Sequence, residues 1–277
     1  MSIKRFITAV IGLPIVIAVL AFSNKYIIDI LLACVGVIAM HEYIKCAANK
    51  EIKVIKWISY LSVLAIAFIH LIPNWLYTNM LVFSVPIILL ILFFHVIVTN
   101  MKITFEDVAF TLLGIIYVFS FLAFLAAIFG IEGTVSGKKL IWYVFLAAWG
   151  TDTLAYLVGI KFGKTKFSKV SPKKSVEGAI GGVVGAVLLN VLLLFVFKKF
   201  FFTEETGLSY IAVIFLSIVL SIVSMFGDLG ASTIKRNFGI KDFGKLLPGH
   251  GGIMDRFDSV LFVMPVLYSA IYFINAF

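Results

Sequence analysis

The chain has 277 residues, 62% of them hydrophobic and 13% charged, with a net charge of +9 and a mean hydropathy of +1.13. A soluble domain carries about 25% charged residues, so this composition excludes an ordinary water-soluble fold and indicates an all-α, polytopic integral membrane protein. The excess positive charge flanks apolar runs, which favours anionic lipid head groups as its partners and argues against nucleic acid.

Apolar runs of roughly 20 residues, each long enough to cross a bilayer core, recur from end to end. The first, about 6–22, follows Lys4 and Arg5. No small-x-small cleavage site comes after it, so it reads as a retained transmembrane helix rather than a signal peptide. Runs at about 26–48, 55–72, 77–98 and 105–129 come next, separated by Gly, Pro and Asn punctuation such as "LIPNW". Cys34 and Cys46 share one of these runs. At helical rise they stand about 18 Å apart, too far for a disulfide within the helix. Runs at about 138–160, 178–200, 208–230 and 256–276 bring the expected count to nine. The chain then divides into N-terminal helices, 1–130, and a C-terminal region, 131–277, that bears the chemistry on loops 161–177 and 231–255.

The charges orient this arrangement. With nine crossings, most of the 23 Lys and Arg residues fall on one side, and Lys25, Lys138, Lys139, Lys198 and Lys199 remain on the other. The positive-inside bias puts the N-terminus in the cytoplasm and the C-terminus outside. No internal repeat or long linker interrupts the pattern.

Two loops on the basic side carry glycine as well as lysine. One is "KFGKTKFSKVSPKKSVEGAIGG", residues 161–182; the other includes "STIKRNFGIKDFGKLLPGHGGIMDRFD", residues 232–258. Glycine lets backbone N–H groups approach a phosphate, and lysine supplies charge. Plain membrane-flanking loops share these features, so carboxylates have to decide the matter. Asp152 lies inside the sixth run, Asp228 near the end of the eighth, and Asp255 and Asp258 at the start of the ninth. Charges in such places usually face a bundle interior or a wet cavity. Ser221, Ser224, Asp228, Ser232 and Lys235 are spaced 3, 4, 4 and 3 apart, which is one helical face. Asp255 and Asp258 share a face as well. Asp228, Asp255 and Asp258, beside Lys235, Arg236 and Arg256, form a hard oxygen set suited to Mg²⁺ held with a polyphosphate. His250 sits between glycines, where it either donates to phosphate or shapes the turn.

These residues resemble a known family. "STIKR" followed by "KDFGKLLPGHGGIMDRFD", with "DTLAYLVGIKFGK" and "SPKKSVEGAIGG" upstream, looks like the signature of phosphatidate cytidylyltransferases. Ser175 and Val176 depart from it, since a Thr and an aromatic residue are expected before Glu177. The resemblance implies transfer of CMP from CTP to phosphatidic acid, giving CDP-diacylglycerol and pyrophosphate, in the cytoplasmic membrane with the site at its cytoplasmic face. It implies catalytic roles for Asp228, Lys235, Arg236, Asp255 and Asp258, with the three aspartates as metal ligands. Substrate contacts fall to Lys173, Lys174, Glu177, Ser232, His250 and Asp152. Mg²⁺ is the expected cofactor, with a second cation, monovalent or divalent, left open, and the resemblance also suggests a homodimer. Rival readings are a CTP-dependent lipid-alcohol kinase, a CDP-alcohol phosphotransferase, whose D-G-x-x-A-R pattern is missing, and a transporter, whose repeated halves are missing.

Overall fold

In hydrocarbon a backbone has no water to bond to, so apolar runs must satisfy their N–H and C=O groups internally and coil into helices. The computed structural model, which describes residues 3–132, 136–168, 170–196, 210–247 and 249–275, is built this way, and no strand occurs among those residues. Two compact units divide the chain: Met1–Ala127 with Asn237–Arg256, and Ile128–Arg236 with Phe257–Phe277.

The first unit contains α1 (Ile3–Phe22), α2 (Lys25–Ala48), α3 (Lys56–Leu64), α4 (Asn74–Val98) and α5 (Phe105–Gly114). Beyond α3 the chain tightens into a 3₁₀ turn, Ala65–Leu71, and beyond α5 it widens into a π segment, Ile115–Ser120, before α6 (Phe121–Phe129). Local chemistry sets several boundaries. The Asn24 side chain accepts the Ile27 N–H at 2.9 Å and starts α2. Thr104 and Asp107 form a reciprocal capping box at α5. Asp107 also accepts the Lys53 N–H at 2.6 Å, tying the preceding loop to that helix end. Met40, Tyr43, Ile66, Leu92, Ile115 and Leu122 form the buried core. The Tyr43 ring stacks on Phe110 at 4.5 Å, and its hydroxyl donates to the Phe110 carbonyl. Asp29, buried in α2, is matched by His70, whose Nδ1 lies 2.8 Å from both carboxylate oxygens.

The second unit is built on α7 (Gly137–Phe162), α8 (Val176–Val196), α9 (Tyr210–Asn237) and most of α10 (Met254–Asn275). α7 and α8 approach along a seam of small residues. A Cβ on Gly178 would meet the Ala155 carbonyl at 2.6 Å, and one on Gly182 the Thr151 carbonyl at 2.7 Å. Such spacing of small residues lets helix backbones come close in a membrane. Gly178, Gly181 and Gly182, read from sequence as part of a glycine-rich anion loop, therefore lie inside α8, where they serve helix packing. The loop itself is 163–175.

Where nine membrane crossings are expected, five helices are long and apolar enough to cross among the described residues: Lys25–Ala48, Phe105–Phe129, Gly137–Phe162, Val176–Val196 and Tyr210–Asn237. Shorter apolar stretches, Lys56–Leu71 and Phe83–Val98, add to these. Helix α9 runs on past residue 230 to Asn237, so Lys235 and Arg236 are helical and the following loop shrinks to 238–253. Lys169, Lys198, Lys199 and Pro248 lie outside the described residues, as do the ends expected near 200, 208 and 276.

Candidate functional site

The polar stripe of α9 points into the second unit. Ser221 and Ser224 are fully buried and Lys235 is 8% exposed. Ser224 Oγ donates to the Ala148 carbonyl of α7 at 3.5 Å, and Ser232 Oγ donates to Asp228 Oδ1 at 3.4 Å. Asp228 itself is ion-paired with Lys174, which reaches it from loop 163–175. One turn into α10, Asp258 is buried with its Oδ2 3.8 Å from Lys235 Nζ. Asp258 Oδ1 accepts the Ser259 N–H at 2.9 Å, while Ser259 Oγ donates to Asp152 Oδ2 at 2.6 Å. Asp228, Lys235 and Asp152 are the charged neighbours acting on Asp258. Asp152, Asp228 and Asp258 thus form one electrostatic group with Lys174 and Lys235. Burial makes the charges of Asp258 and Lys235 depend on their neighbours, since an isolated one would be costly.

Other expected site residues have different surroundings. Lys173 and Arg236 are exposed. Both Glu177 carboxylate oxygens accept backbone N–H groups of Lys164 and Thr165, at 3.1–3.2 Å. Glu177 therefore braces the loop that carries Lys174, a loop further closed by Phe167 N–H donating to the Lys174 carbonyl.

The glycine turn belongs to the first unit. Asp255 Oδ2 accepts the N–H groups of Phe243 and Gly252, at 2.8 and 2.9 Å. The His250 N–H donates to the Leu247 carbonyl. The Gly252 N–H, in the glycine turn expected to bring backbone donors to a phosphate, thus bonds inside the loop, as does that of His250. Gly249 and Gly251 have φ of +78° and +86°, a region open to glycine and strained for other residues. The structure groups Asp228 and Asp258 with Asp152, and it turns Asp255 to the loop backbone. No three His, Cys, Asp or Glu side chains among the described residues are arranged as a metal-holding set.

Two residues escaped sequence reasoning. Ser259 bridges Asp152 and Asp258, and its only signal was a hydroxyl beside Asp258 in an apolar run. Glu42, in "HEYIK", accepts the Ile253 N–H at 3.1 Å and the Met254 N–H at 2.9 Å. A carboxylate inside an apolar helix was its signal.

Helices of this length and apolarity, around a group of carboxylates and lysines of which Asp258 and Lys235 are buried, define a multi-pass membrane protein with a centre suited to phosphate chemistry. Residues 3–274 match the model of the Cytidylyltransferase family, and the chain belongs to that family. It is 34% identical over 265 residues to the phosphatidate cytidylyltransferase of Staphylococcus haemolyticus, covering 95% of this chain and 96% of that one. To the enzyme of that name from Bacillus subtilis it is 33% identical over 273 residues, 96% of each chain. To the one from Staphylococcus aureus it is 32% identical over 264 residues, 95% of this chain and 96% of the relative.

Proposed function

We propose that the chain transfers CMP from CTP to phosphatidate, forming CDP-diacylglycerol and pyrophosphate. One observation carries the reading most: a family member with end-to-end relatives of that name gathers Asp228, Asp258 and Asp152 with Lys174 and Lys235 in one unit, Asp258 and Lys235 being buried. In the reaction an ionised oxygen of the lipid phosphate attacks the α-phosphorus of CTP. The bond from that phosphorus to the oxygen bridging to the β-phosphate breaks, and pyrophosphate leaves with its electrons. The attacking phosphate is already an anion near neutral pH, so no strong base is needed. The difficulty is bringing two anions together, and fixed positive charges meet it by screening repulsion and stabilising charge on the leaving group.

Lys174, released from Asp228, binds the lipid phosphate, with exposed Lys173 adding attraction. Lys235, buried, and Arg236, exposed, at adjacent positions near the end of α9, bind the CTP phosphates. Ser232 and Ser259 orient Asp228, Asp152 and Asp258 through their hydroxyls. Mg²⁺ typically takes one or two protein carboxylates together with substrate phosphates, so the chemistry of this donor set suits it: Asp228 and Asp258 would hold it. When bound, Mg²⁺ neutralises phosphate charge and polarises the phosphoryl oxygens. Asp255 and Glu177 act by holding loops, and His250 shapes its turn.

The same reading includes nine crossings, a cytoplasmic N-terminus, the cytoplasmic face of the cell membrane as the site of reaction, and a homodimer. The basic loops support the orientation through the positive-inside bias. The direct test supplies the purified full-length protein with CTP and phosphatidate in mixed micelles. Equal yields of CDP-diacylglycerol and pyrophosphate are expected. In a parallel assay with a polyprenol-like alcohol as acceptor, free CDP with the phosphorylated alcohol would indicate a kinase, and absence of any CTP-dependent product in both would refute the enzyme reading.

A further inference from the structure

Glu42 lies near the end of α2 and is only 6% exposed. Its carboxylate meets the backbone N–H groups of Ile253 and Met254, at the start of α10. The first N–H groups of a helix lack acceptors within it, and the helix dipole favours a negative charge there. Glu42 supplies both from about 210 residues away in sequence. The loop is shaped to admit it. A Cβ on Gly244 or on Gly252 would run into the Glu42 carboxylate. Asp255 holds the same loop by the N–H groups of Phe243 and Gly252, and a Cβ on Gly251 would stand 2.7 Å from its Oδ2. Three successive N–H groups, those of Gly252, Ile253 and Met254, therefore end on two carboxylates. The helix that begins there carries Asp258 one turn later.

We propose that Glu42 is a positioning residue for the transfer reaction, an inference that rests on the function proposed above. By anchoring the first turn of α10 it fixes where that helix starts and how the turn at 249–252 is held. Glu42 touches no reacting group in this scheme. A mere contribution to folding would loosen the whole chain, whereas an anchor loosens one segment and slows turnover.

Glu42→Gln separates these. It keeps the size but sets an NH₂ donor against the N–H groups that now face oxygen. Two readouts on the full-length protein in micelles are needed. In the transfer assay with CTP and phosphatidate, kcat should fall roughly tenfold to hundredfold, the scale of one charge-assisted hydrogen bond, with little change in either KM. In amide hydrogen exchange, residues 243–256 should exchange at least about tenfold faster, while α7 and α8 keep wild-type rates. Glu42→Asp, which keeps the charge, should recover part of both losses relative to Glu42→Ala. Wild-type kcat with unchanged exchange overturns the proposal, and so does acceleration spread evenly over the chain. If the wild-type protein forms no CDP-diacylglycerol, the functional reading fails, and the exchange comparison still decides whether Glu42 anchors the segment.

Discussion

Replacing Asp258 by Asn tests the buried carboxylate of the group. The change is nearly isosteric and removes one charge. Asp258 Oδ2 stands 3.8 Å from Lys235 Nζ, with both side chains 10% exposed. At an effective dielectric near 20 the gross attraction lost is about 4 kcal/mol. Asp228 and Asp152 also act on Asp258, and the repulsion among three carboxylates is relieved by the same substitution. The opposing terms leave a net stability change on the order of 1 kcal/mol, so the variant should insert and stay folded. Activity should respond differently. If Asp258 helps hold Mg²⁺ against the CTP phosphates, its loss removes an electrostatic contact worth ~2.7–4 kcal/mol at the transition state, a hundredfold or more in kcat. The assay is CDP-diacylglycerol formation across a Mg²⁺ titration, with a thermal melt in detergent as the control for folding. Near-wild-type kcat at every Mg²⁺ concentration, in a protein with a normal melt, would refute the assignment. Asp255→Asn is the informative companion. Asp255 Oδ2 accepts two backbone N–H groups, so its loss should disturb the loop and lower the melting temperature more than Asp258→Asn does.

Three further outcomes follow from the same geometry. Lys174→Ala should raise the KM for phosphatidate with a smaller effect on kcat, and exposed Lys173→Ala should do so more weakly; unchanged KM for both substrates in the Lys174 variant would remove it from the site. Gly182→Val forces a side chain against the Thr151 carbonyl, so the α7–α8 seam should lose ~1–3 kcal/mol, read as a lower detergent melting temperature; an unchanged melt would show that the seam tolerates bulk. Single cysteines at Lys173 and Gly249 should react with an impermeant thiol reagent only when it reaches the cytoplasm, and labelling of either from outside would contradict the orientation.

The sequence made some parts of this molecule legible because their signals are local. Apolar runs dictate helices, and the 3–4 spacing along α9 alone places Ser221, Ser224, Asp228, Ser232 and Lys235 on one face. The family signature rested on consecutive residues and was equally readable. Crossing number was less so. Charge asymmetry suggested nine, yet a stretch such as Lys56–Leu71, which tightens into a 3₁₀ turn, falls short of a span by length and composition alone. Long-range partners were out of reach. Nothing in "HEYIK" says that Glu42 meets the start of α10. Nor does "SVEGAIGG" reveal that its glycines pack against α7 and that Glu177 holds backbone N–H groups. Asp255 and Asp258 share a helical face, but the face does not specify that one turns to Phe243 and Gly252 while the other lies beside Lys235. Glycine and carboxylate are ambiguous in sequence because the same residues serve phosphate, metal, backbone and helix packing.

The most direct measurement follows the fate of each phosphate of CTP. Purified protein is given phosphatidate and CTP labelled either at the α-phosphorus or at the γ-phosphorus. The account predicts that α-label enters the lipid as CDP-diacylglycerol and that γ-label is released as pyrophosphate, in equal amounts and dependent on phosphatidate. Transfer of γ-label to a lipid, or retention of both labels in unreacted CTP with active-site residues intact, would contradict it.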